Sequence, residues 1–220
     1  MSSSTSTSTT TIPLPTHIPT PTHLHYLQHA LSLARLSPPK PTNFCVGALL
    51  VSFPSASRST TNHCVTFSAT DAASSGIDTQ AGLPQTLATG YTLELEGNTH
   101  AEQCCLDKFA AAHGKNAADL PSIFAARRAS HRETLVLYTT MAPCVTRLSG
   151  AVPCTDRILA ASGIDTVVVG VGEPETFVDG AKTAQGQGRL EEGGVQVVRV
   201  DGLEEAILKV AKAGHIGEGP

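Results

Sequence analysis

His100 and Glu102 set an imidazole and a carboxylate two residues apart, and Cys144 and Cys154 supply two thiols, each directly after a proline. One His and two Cys meet the protein's share of a catalytic zinc site, which takes nitrogen and thiolate ligands tetrahedrally and leaves the fourth position to water. The metal lowers the pKa of that water from 15.7 to about 7, or about 12 kcal/mol of deprotonation free energy. A carboxylate close to the metal but outside its ligand set then moves protons between water and a leaving group, and Glu102 is the candidate.

Other readings of the same residues remain open at this level. Thr99 and Glu102 also form an S/T-x-x-E capping box, in which the carboxylate would only satisfy a free N-H at a helix start. His100 and Cys104, four apart, would share a helix face and could form a different metal pair or simply be core. Single cysteines such as Cys144 and Cys154 are most often small buried hydrophobes. The combination favours metal: His-x-Glu opening a helix, then two Pro-Cys pairs after a later strand.

His100-Ala101-Glu102 followed by Pro143-Cys144 and Pro153-Cys154 resembles the zinc-dependent cytidine deaminase superfamily, whose nucleobase members carry H-x-E and P-C-x-x-C. Nine residues separate the two thiols here instead of two. That long insert ending in Pro-Cys resembles the riboflavin-pathway deaminases, and Arg147-Leu148-Ser149-Gly150 is similar to their fungal pyrimidine deaminase branch. Gly90-Tyr91-Thr92, Gly97-Asn98-Thr99 and Gly172-Glu173-Pro174-Glu175-Thr176-Phe177-Val178 extend the likeness. The resemblance implies a three-layer α/β/α fold around a central, mostly parallel mixed sheet of about five strands. It implies zinc held by His100, Cys144 and Cys154, with Glu102 as proton shuttle. It also implies hydrolytic deamination of the diamino-ribitylamino-pyrimidinone phosphate of riboflavin synthesis. Asn43, the backbone of Ala101, Arg147 and Ser149 would bind that substrate, with Lys182 and Arg189 as further candidates for its phosphate. Two alternatives stand beside it: a non-catalytic zinc-binding partner subunit, and a deaminase of cytidine or of a base in RNA. A homodimer is expected from the superfamily.

The 220 residues suffice for one domain with a substantial core, and 40% hydrophobic with 15% charged residues fits a soluble globular chain. The net charge is −4, and the 15 Lys plus Arg form no basic stripe, which disfavours tracking along nucleic acid. Six Cys without a signal-like apolar segment argue for reduced thiols, and no apolar run approaches a membrane span. A cytoplasmic protein is expected.

Residues 1–22 are almost entirely Ser, Thr and Pro and read as a disordered tail before a deaminase domain over 23–215. Leucine spacing predicts a helix from His23 to Leu36, in which His25 and His29 share a face but lack a third ligand. Asn43 to Val51 reads as a strand buried on both faces, with Cys45 as core. Residues 54–84 read as an edge extension and loop around a possible strand at Cys64 to Ala69. Further strands are expected at Thr86–Leu93, Thr134–Thr140, Thr166–Val171 and Val195–Val200. Helices are expected from His100 to near Gly114, within 115–131, from Pro153 onward and at Gly202–Ala213. The glycines at 186 and 188 match no dinucleotide-binding loop and carry no assigned element.

Overall fold

A computed structural model of the chain describes residues 18–54, 83–172 and 180–215. Helix α1 spans Thr20–Ala34, strands β1 and β2 span Gly47–Pro54 and Gln85–Tyr91, and α2 spans Ala101–Ala112. Helix α3 covers Leu120–Ser130 after a 3-10 turn, β3 is Glu133–Met141, α4 is Cys154–Ala161 and β4 is Thr166–Val171. Helix α5 (Gly180–Glu192), β5 (Gln196–Arg199) and α6 (Glu204–Ala211) complete the order.

The strands form one sheet in the order β2-β1-β3-β4-β5. β1 pairs antiparallel with both β2 and β3, whereas β3, β4 and β5 pair in parallel. Four strands therefore run one way and β1 alone runs against them. Side chains alternate across a strand, so each apolar run feeds two cores. Ala48, Leu50, Leu135, Leu137, Val167 and Val169 join Phe109, Phe124 and Ile158 beneath α2, α3 and α4. Their neighbours Leu49, Val51, Val136, Tyr138 and Val168 face the other way, onto Leu27 and Ala30 of α1. Ile207 and Ala211 of α6 close that second face with Met141 and Val171. These are the expected three layers. β1 starts at Gly47, four residues after the expected Asn43, and its continuous apolar run is explained by helices covering both sides of it.

Helix α1 opens at Thr20, three residues before the expected His23, with a proline in its first turn where the missing N-H costs nothing. His25 and His29 are exposed, and Cys45 is buried. Residues 1–17 and the possible strand at 64–69 lie outside the described residues. Helix α5 was not anticipated, because Leu190 is its only large apolar residue and no 3.6-residue stripe marks it.

One ion pair fixes the start of the central strand β3, at the end of the sheet away from the site. Arg127 Nε and Nη2 donate to the two Glu133 oxygens at 2.7 and 2.9 Å, and Ser52 Oγ donates to the same carboxylate. Burial pushes this carboxyl up, but the Arg127 and Ser52 bonds outweigh it and hold Glu133 below the ordinary carboxylate range. A depressed folded pKa means stabilisation present above the unfolded value, near 4.3, and lost as pH falls through the folded value. Glu133→Gln should therefore cost about 2 kcal/mol at pH 7, and the deficit against wild type should shrink below about pH 4. Urea melts at both pH values measure it; a deficit independent of pH would rule the charge effect out.

Candidate active site

The site assembles at the C-terminal end of β3, where open α/β sheets place ligands. Met141 ends that strand, and Ala142 N-H still donates to Val171 O at 2.8 Å, carrying the ladder to the edge of Pro143-Cys144. Cys154 starts α4, whose opening is locked onto the preceding loop: Thr155 N-H donates to Cys144 O at 3.1 Å, and Thr155 Oγ1 donates to Pro143 O at 3.2 Å. Pro153 is the N-cap of α4, so the helix begins at Cys154, one residue after the expected Pro153.

His100 is the N-cap of α2 and Glu102 lies in its first turn. The capping box does not form: His100 makes no side-chain cap bond, and Thr99 Oγ1 donates instead to Leu95 O at 3.0 Å. Extended backbone at His100 (φ −94°, ψ 160°) breaks helical spacing, so residues two apart can converge on one point. Gly90 of β2 makes room for this turn. A Cβ on it would sit 2.3 Å from Ala101 O and 2.5 Å from Cys105 N, so only glycine lets the strand support the helix start that carries both groups. Gly186 does the same for α5, where a Cβ would meet Val145 Cγ1 at 2.9 Å, beside the cysteine loop.

The three sequence-distant groups meet. Nδ1 of His100 lies 3.5 Å from Cys144 Sγ and 3.5 Å from Cys154 Sγ, and all three candidate ligand atoms fall within 4.8 Å of one another. Tetrahedral zinc with Zn–N and Zn–S bonds of about 2.05 and 2.3 Å would set nitrogen and sulfur about 3.6 Å apart. The donor set fits zinc in chemistry and in spacing. Cys104, the alternative partner of His100, is fully buried and outside this cluster.

The electrostatics point the same way. The Cys154 thiol donates toward Cys144, and this, aided by His100 against the effect of burial, draws the Cys144 thiol down to about 4. Cys154 is pushed up by Cys144, by burial and by Glu102. Glu102 is 3% exposed, and burial together with the charge on Cys144 raises its carboxyl above the usual range. Two sulfurs and a carboxylate thus crowd one imidazole, an arrangement that a divalent cation relieves.

Above this cluster opens a cleft of about 240 Å³. Asn43, Arg147 and Ser149 line it together with His100, Glu102 and Cys144. Ala101 is fully buried and packs into the core beneath α2, leaving its backbone alone near the site. Arg189 is turned elsewhere, paired with Asp156 of α4. The side chain of Lys182 lies outside the described residues.

Residues 20–171 match the family described as the cytidine and deoxycytidylate deaminase zinc-binding region. The chain belongs to that deaminase family. Over 193 residues it is 31% identical to a diaminohydroxyphosphoribosylamino-pyrimidine deaminase of Schizosaccharomyces pombe, covering 88% of this chain but only 36% of the length of that relative. The Rib2 deaminase of Aspergillus oryzae, a C-terminal deletion mutant, superposes with a TM-score of 0.67 at 38% identity, over 88% of this chain and 92% of that one. The same Aspergillus oryzae enzyme has been solved in complex with DARIPP. A deaminase/reductase of Thermotoga maritima shares the fold at 20% identity and a TM-score of 0.52, over 89% of this chain and 40% of that chain.

Three residues of this candidate site were not singled out from sequence. Thr139 Oγ1 lies 3.3 Å from Glu102 Oε1 while donating to Met141 O at 2.9 Å, and a threonine inside a β-strand gives no sign of such a role. Asn98 accepts on its side-chain oxygen from Asn43 Nδ2 at 2.7 Å, and Gln103 accepts from Arg147 Nη1 at 2.9 Å. Both flank the His-x-Glu motif, so proximity to it was the available signal.

Proposed function

We propose that the protein is a zinc-dependent hydrolase that removes an exocyclic amine from the diamino-ribitylamino-pyrimidinone phosphate of riboflavin synthesis. The observation that carries this reading is the convergence of His100 Nδ1 and two sulfurs beside a buried carboxylate that is not needed as a ligand. The 38% identity to the Aspergillus oryzae deaminase solved with DARIPP supports the substrate class.

His100, Cys144 and Cys154 would hold the metal, and zinc bound there supplies a water molecule with a pKa near 7. Glu102 takes a proton from the attacking water and passes protons to the ring nitrogen and to the departing amine, so that water plus amine becomes carbonyl plus ammonia. Its raised pKa suits a group that must both accept and return a proton. Thr139 limits the swing of the Oε1 atom. Asn43, Ser149 and the backbone of Ala101 would contact the ring, and the Arg147 guanidinium would meet the phosphate, for which planar N-H donors are well matched.

A homodimer acting in the cytoplasm without a nucleic-acid partner belongs to the same reading. Leu148, fully exposed at the cleft mouth, and half-exposed Val152 offer apolar surface to a second copy. The net charge of −4 disfavours a phosphodiester track. No helix among the described residues is long and apolar enough to cross a membrane.

Ammonia release from the phosphorylated pyrimidine, its dephosphorylated form and cytidine tests the assignment. The phosphorylated compound should give the highest kcat/KM. Faster turnover of cytidine would replace this reading with a nucleoside deaminase.

A further inference from the structure

Arg147 is held in an uncommon way for a partly buried arginine. Arg127, Arg128 and Arg189 all pair with carboxylates. Arg147 makes no ion pair among the described residues: Nη1 donates to the neutral amide oxygen of Gln103 and Nη2 to the backbone oxygen of Asn98. Its Nε is buried and has no hydrogen-bond partner among the described residues. Its bonds therefore go to neutral oxygens alone, and no anion among the described residues answers the guanidinium charge.

The tether also spans the cleft mouth. Asn98 joins Arg147 through its backbone and Asn43 through its side chain, and Asn43 Oδ1 in turn accepts from Thr42 Oγ1 at 2.8 Å. Three chain segments, before β1, before α2 and between the two cysteines, are thereby set in register. Gln103 follows Glu102 directly, so the first turn of α2 orients the candidate proton shuttle and the candidate anion contact together.

We propose that Gln103, with Asn98, is a positioning residue that fixes the Arg147 guanidinium while leaving its charge uncompensated, so that the cleft selects a phosphomonoester over the corresponding alcohol. The proposal rests on the substrate reading above. The residue type matters: glutamate at 103 would hold the arginine equally well but neutralise it, and leucine would keep the charge and release the tether.

The test is calorimetric binding of the phosphorylated and dephosphorylated pyrimidine to zinc-loaded wild type, Q103E and Q103L, with ammonia release followed in parallel. Wild type should bind the phosphorylated compound at least about tenfold more tightly. Q103E should bring that ratio close to one, with the loss in KM more than in kcat, and Q103L should give an intermediate ratio. Zinc content and melting temperature identify any variant that fails to fold. A ratio unchanged in Q103E, an equal loss of affinity for both compounds, or a wild type without preference would overturn the proposal. Absence of ammonia release with the binding preference intact would instead sink the deaminase assignment and leave the positioning role standing.

Discussion

Glu102→Gln should retain about one zinc per chain and lose about 10²–10⁴-fold in the rate of ammonia release, the range that a positioned proton-transfer group contributes. The amide keeps the shape of the side chain and its contact with Thr139 but cannot cycle a proton. The carboxylate is 3% exposed, so bulk water does not readily stand in for it. It lies outside the imidazole and sulfur set, so zinc content should survive the change. Metal analysis and steady-state assay on one preparation decide the matter. A variant with full zinc and wild-type turnover would assign Glu102 a structural part and give the proton transfer to another group.

Cys154→Ser should remove both metal and activity. The sulfur lies 3.5 Å from His100 Nδ1 and accounts for one of three protein donors; a serine hydroxyl is a harder, far more weakly acidic ligand that seldom serves zinc. Zinc per chain should fall from about one to well below it. Stability follows, because a ligand present at a thousandfold excess over its Kd stabilises the folded state by about 4 kcal/mol. The melting temperature of wild type should therefore drop on chelation, whereas that of Cys154→Ser should start low and respond little. Cys45→Ala is the matched control: Cys45 is also buried, but its Sγ lies 3.9 Å from Ser37 O and outside the ligand cluster, so its loss should cost packing and leave zinc in place. Loss of zinc in the control, or full zinc in Cys154→Ser, would relocate the metal.

Much of the site was legible because ligand chemistry resides in residue type. Imidazole, thiolate and carboxylate in this order and after these prolines are specific, and His100, Glu102, Cys144 and Cys154 could be picked out before any fold was known. The layers were also legible, since β1, β3 and β4 are apolar on both faces and such strands must lie between helices. The direction of β1 was not, because an apolar run reads the same in either orientation and only the pairing with β2 and β3 decides it. Helix α5 was hidden for a related reason: glycine at 186 lowers helix propensity, and its purpose, clearance for Val145, exists only once the two segments are packed.

The amino-acid sequence by itself determined the donor atoms, the reaction class open to them and the strands that had to be covered on two sides, because these depend on side-chain chemistry and on local periodicity. Tertiary structure alone decided that Thr99 makes no cap to α2, that Glu102 is buried beside the two thiols, and that Gln103 and Asn98 grip Arg147 with neutral oxygens. Those outcomes depend on where distant segments cross, and crossing points follow from packing the whole chain at once.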